Sequence, residues 1–106
     1  MKTHNLFANI PVDLTEEFFE TIIMHKSLRI ERIISKAHAS PKSGWYDQNQ
    51  NEWIILLKGE ALLEFEDNAN VHLSIGDYIH IPKHCRHKVA WTAEHIETIW
   101  LAVHYD

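Results

Sequence analysis

Gly76-Asp77-Tyr78-Ile79-His80-Ile81-Pro82-Lys83-His84-Cys85-Arg86-His87 decides how this chain folds. A Gly-Asp pair suits a tight turn, because glycine takes positive φ at no steric cost. Ile79 and Ile81 then alternate with Tyr78 and His80, the pattern of a half-buried strand. Pro82 has no N–H to give a neighbouring strand, so it ends this one and opens a loop. That loop delivers His87 to the start of the next strand, and a turn, a strand and a proline loop together fix where its imidazole points.

The same two-residue period runs through most of the chain. Glu60–Glu66 sets Ala61, Leu63 and Phe65 against Glu60, Glu64 and Glu66, and residues 71–75 set Val71, Leu73 and Ile75 against His72 and Ser74. Each segment has one wet face and one buried face. Residues 52–58 and 96–105 are apolar on both parities, which requires cover on both sides. One side is the interior, so Trp53, Ile55 and Leu57 on the other call for the N-terminal segment or a second copy, and a homodimer is expected. Residues 13–24 send mixed signals. Asp13-Leu14-Thr15-Glu16-Glu17 resembles a helix start, whereas Phe18, Phe19, Ile22 and Ile23 suit a strand. A strand paired with residues 28–35 through residues 25–27 is preferred, with one short N-terminal helix as the most that is expected.

The 106 residues make one domain with a single core. A net charge of −5 with no run of lysine or arginine speaks against nucleic acid or an anionic membrane as partner. No apolar run reaches the ~18–20 residues that span a bilayer. The single cysteine, Cys85, has no internal partner, and a cytoplasmic location is expected.

Strand parity points to an interior site. If Ile54 and Leu56 face inward, so does Glu52, two residues before Ile54. A carboxylate aimed into an apolar interior is costly unless it is paired, hydrogen-bonded or bound to metal. On the later strand, His87, Val89 and Trp91 share a face, so Glu52 and His87 can meet inside. Three arrangements are open: a divalent metal held by Glu52 and His87 with Gln48, and Tyr46 or water beside it; a hydrogen-bonded Glu52–His87 pair; or a polar pocket for a small molecule. Among other residues, His84 reads as a solvent-facing loop histidine and His80 as pointing outward. His104 shares parity with Trp100 and Ala102, yet reads as a terminal surface histidine. Cys85 reads as an ordinary loop thiol.

These residues resemble the two motifs of the cupin superfamily. Glu52 and Gly59 match the glutamate and glycine of the first motif, and Gly76, Pro82 and His87 match the second at the right spacing. His84 stands in place of the second motif's inner glycine and Trp91 in place of its asparagine. Counting back from Glu52, the first motif's two histidines are replaced by Tyr46 and Gln48, or on the longer spacing by Trp45 and Asp47. The resemblance spans roughly residues 40–105. It implies an all-β, jelly-roll barrel with its core at about 28–105 and an extension over 1–27. It also implies that Glu52 and His87 meet in the interior, where family members hold metal.

The expected site is therefore Gln48, Glu52 and His87 as ligands of one divalent ion (Zn, Mn, Fe or Ni), with Tyr46, Gln48 and Trp91 lining a pocket for a small molecule. Three functions fit: a metal-dependent enzyme acting on a small molecule, a binding or sensor protein without metal, or a structural barrel with no ligand. Loss of both motif-one histidines weighs against an oxygenase, whose iron usually takes two histidines and a carboxylate.

Overall fold

The computed structural model describes residues 1–41, 44–67 and 69–106, and among them every regular element is a strand. These are β1 (Phe18–His25), β2 (Leu28–Ser35), β3 (Asn51–Lys58), β4 (Ala61–Phe65), β5 (Val71–Leu73), β6 (Tyr78–Ile81), β7 (His87–Thr92) and β8 (Thr98–Tyr105). They form two sheets, ordered β1-β2-β8-β3-β6 and β5-β4-β7. All pairings are antiparallel. From β3 onward the chain passes back and forth between the sheets, which closes their inner faces on each other as a barrel. No helix among the described residues is long and apolar enough to cross a membrane.

The core is the meeting of those inner faces. Ile54, Leu56, Trp100 and Ala102 from the larger sheet pack with Ala61, Leu63, Phe65 and Leu73 from the smaller, and Ile81 completes the cluster. Burying each large side chain contributes about 1.5–3 kcal/mol. The expected parities of β3 and β4 hold throughout. In the segment 71–75 they hold only as far as Leu73: the Asp77 carboxylate accepts the Ser74 N–H at 2.8 Å and turns the chain, leaving Ile75 67% exposed.

Residues 18–25 form a strand, not a helix. Asp13 Oδ1 accepts both the N–H and the hydroxyl of Thr15, a local turn that uses up the would-be helix start. The aromatic and β-branched run that follows pairs with β2 across Lys26-Ser27, with a bulge between Thr21 and Ile23. Farther back, the carbonyls of Leu6 and Ala8 accept hydrogen bonds from Arg32 Nη1 at 3.1 and 2.7 Å. The N-terminal segment thus lies against the outer face of β2, where Ile34 and its cross-strand partner Ile99 are buried. Trp53, Ile55, Leu57, Leu101 and Val103, on the outer faces of β3 and β8, are only half-buried.

Candidate functional site

Register assembles the site. Arg29 of β2 and Glu52 of β3 both stand opposite His104 of β8, so the three lie in one row across the inner face of the larger sheet. Glu31 follows two residues along β2. The smaller sheet contributes Leu63, His87 and Val89, and the loop before β3 adds Tyr46 and Gln48. Together they line a cavity of about 230 Å³. A wider depression of about 590 Å³ lies outside the barrel, over residues 10–15, Lys36 and Glu97. The site belongs in the interior, because among the described residues only there are several ionisable groups buried together.

Glu52 sits between two imidazoles. The Nδ1–H of His87 donates to the Cys85 carbonyl at 2.9 Å, leaving Nε2 facing Glu52 Oε1 at 3.6 Å. His104 Nε2 lies 3.7 Å from the other oxygen of Glu52 and 2.9 Å from Glu31 Oε1. Arg29 Nε is 3.7 Å from the second oxygen of Glu31. Burial is the largest influence on His87 and opposes its charge. The Glu52 carboxylate and the Cys85 carbonyl together outweigh it, and the imidazole is held above its ordinary pKa. Glu31 is held below the ordinary carboxyl value, chiefly by its bond to His104 and further by Arg29, against the opposing effect of burial.

The two motif segments are fastened to one another. Tyr46 and His87 exchange backbone hydrogen bonds at 2.8 and 3.2 Å, and the His84 N–H donates to the Gln48 carbonyl at 2.7 Å. Asp47 takes His84 Nδ1 at 2.7 Å and Arg86 Nε at 3.4 Å. His84 has a φ of 62°, where the family motif has a glycine, and its side chain stays exposed. Tyr46 and Gln48 reach the cavity, and the Tyr46 and His87 rings are 5.7 Å apart.

Trp91 is not part of the pocket. Leu63 pairs with Val89 but Leu62 pairs with Trp91, so Ala90 is an extra residue on β7. Such a bulge reverses the parity beyond it. Thr92 turns inward and is buried, while Trp91 turns outward at 37% exposure. His104 corrects the expectation in the other direction: at 4% exposure it belongs to the interior. Its shared parity with Trp100 and Ala102 was the signal. Glu31 and Arg29 carried no signal of their own, because β2 has charges on both parities.

Among the described residues, no group of three or more His, Cys, Asp or Glu side chains is placed to hold a metal ion. Glu52 and His87 are two strong donors that face each other, and Gln48 adds only a neutral amide.

Residues 35–104 match the profile of the cupin domain family. A comparison with curated proteins finds no match. Among solved structures, a protein of Ralstonia eutropha JMP134, provisionally assigned as a mannose-6-phosphate isomerase, is 47% identical, with a TM-score of 0.95 over 100% of this chain and 99% of that one. An RmlC-like cupin from Desulfovibrio desulfuricans is 19% identical, with a TM-score of 0.73 over 96% and 95% of the two chains. A cupin superfamily protein from Desulfitobacterium hafniense DCB-2 is 13% identical, with a TM-score of 0.75 over 91% and 83%. The last two share the fold alone. The two motif segments, the closed pair of sheets and the profile match over most of the barrel agree, and this chain belongs to the cupin domain family.

Proposed function

We propose that this chain is a small-molecule enzyme working by acid–base chemistry, an isomerase that moves a proton between neighbouring carbons of a hydroxy-carbonyl compound of the sugar type. The placing of Glu52 between His87 and His104, inside a cavity of about 230 Å³, carries the proposal. In such a reaction a base takes the proton from the carbon beside the carbonyl while an acid protonates the carbonyl oxygen, giving an enediol. Returning the carbon-bound proton to the neighbouring carbon and removing one from the adjacent hydroxyl shifts the carbonyl by one position. Glu52 is suited to be the base. His87, held protonated further into the neutral range, is suited to be the acid. Glu31 orients His104 on the other side of Glu52.

The provisional assignment of the 47% identical Ralstonia protein supports this choice of reaction; the fold by itself would not. The test is solvent deuterium entering a carbon position of mannose or mannose 6-phosphate, followed by proton NMR. Exchange that disappears in Glu52→Gln and in His87→Asn is the expected result. Binding without exchange in the parent protein would instead make this a non-catalytic binding cupin.

A second reading adds a divalent ion (Zn, Mn, Fe or Ni) held by Glu52 and His87, with Gln48 as a weaker third ligand. It is favoured by the His87 Nδ1–H donating to a carbonyl, the usual outer support of a metal-binding imidazole. A bound ion would polarise the substrate carbonyl. Elemental analysis of protein purified without a metal-binding tag, repeated on Glu52→Ala and His87→Ala, decides it. Gln48→His should then raise affinity for Ni, Cu and Zn more than for Mn.

A further inference from the structure

The charges on the cavity wall bear on which hydroxy-carbonyl compound enters. Three carboxylates line it, Glu17, Glu31 and Glu52, against one arginine, Arg29, and the two histidines. Glu17 lies just before β1 and is fixed in place. Its carboxylate accepts a hydrogen bond from Ser35 Oγ, which in turn accepts the Trp100 indole N–H at 3.3 Å. Arg29 has Glu31 3.7 Å away, an ion pair without a hydrogen bond, so its charge is partly answered within the wall. Among the described residues the lining includes no lysine and no glycine, and there is no helix whose N-terminus would receive a phosphate. Tyr46 and Gln48 add neutral polar groups, and the rest of the wall is apolar, with Phe19, Ile33, Ile54, Leu63, Val89 and Trp100.

We infer that the site selects an uncharged hydroxy-carbonyl compound, a free sugar or a neutral molecule of like size, and that Glu17 and Glu31 exclude its phosphorylated counterpart. This rests on the function proposed above and narrows its substrate class. A phosphate dianion in so small a space meets carboxylates in a setting that screens charge poorly, whereas hydroxyls find acceptors on the same groups.

The experiment measures binding of mannose and of mannose 6-phosphate by calorimetry at low and at high salt, with the deuterium-exchange assay run beside it. Mannose is expected to bind at least about tenfold more tightly than its 6-phosphate at low salt, as like-charge repulsion of this kind requires. Glu17→Gln, which keeps an oxygen for Ser35, narrows that gap. Added salt narrows it only slightly in the unaltered protein, because the cavity screens charge poorly, and Glu31→Gln narrows it as Glu17→Gln does, so the result does not hang on one variant. Tighter binding of mannose 6-phosphate that is lost in Arg29→Gln overturns the inference, and if exchange persists the isomerase reading stands without it. Failure of both sugars to bind, with no exchange, overturns both.

Discussion

His87 holds the Cys85 carbonyl with one ring nitrogen, at 2.9 Å, and turns the other toward Glu52 across 3.6 Å. The same loop that fixes the ring's orientation thus supplies one of the two groups that favour its proton. A neutral ring with its proton on Nδ1 would set a lone pair against a carboxylate, and the raised pKa of His87 follows from avoiding that.

This arrangement predicts a pH dependence of stability. A group whose folded pKa is raised binds its proton more tightly when folded, so its contribution is complete below its ordinary value, 6.5, and is lost as pH climbs through the higher folded value. Thermal melts of the parent and of His87→Gln should differ most below pH 6.5 and converge on the alkaline side. Glu52→Gln should remove most of the difference. A gap that does not vary with pH would refute the assignment of Glu52 as the cause.

Glu31 has the opposite sign. Its folded pKa is lowered from 4.5, so its contribution is present above that value and fades as pH falls through the lower folded value. Glu31→Gln retains an oxygen for His104 but no charge, and should cost about 1–3 kcal/mol at neutral pH. Urea midpoints of parent and variant measured from pH 7 to pH 3 should approach each other at the acid end.

Gly59 and Gly76 have the same φ, 89°, but different surroundings. A Cβ at Gly59 would strike the Thr98 side chain and lie 2.7 Å from its Cα, whereas nothing is within 4 Å at Gly76. Gly76→Ala should cost only the backbone strain, about 1–2 kcal/mol. Gly59→Ala adds roughly 1–3 kcal/mol of overpacking, because backbone at Thr98 cannot swing aside. Denaturant unfolding of both variants checks the order.

The half-buried outer face of β3 and β8 leads us to propose a homodimer that buries Trp53, Ile55 and Leu57. The N-terminal segment lies against β2 through Arg32 and leaves these residues without full cover. Sedimentation at micromolar concentration should give a dimer, and Ile55→Glu should give a folded monomer. A parent protein that sediments as a monomer would refute it.

Much of this was legible in the chain. The inward run of Glu52, Ile54 and Leu56 and the spacing of Gly76, Pro82 and His87 are local properties, and the barrel respects them. Trp91 was misplaced because a bulge at Ala90 depends on pairing with β4, which nothing near Ala90 announces. Glu31 and Arg29 were missed for a related reason: their inward direction comes from the register of β2 against β8. His104 was visible by parity, but closeness to the end of the chain argued for the surface. Only the pairing with Glu31 and Glu52 shows why it is buried.

The fastening between the two motif segments has a consequence for how this barrel can change. The His84–Gln48 bond, the bridge between Tyr46 and His87, and the clasp of Asp47 on His84 and Arg86 use backbone groups and outward side chains. None of them draws on the Tyr46, Gln48 or Glu52 side chains that reach the cavity. The frame is stitched from outside, so the lining can be rewritten one residue at a time without unpicking the seam. Tyr46 and Gln48 can therefore be exchanged for other side chains while the barrel keeps its shape, which makes the interior of this small scaffold open ground for new chemistry.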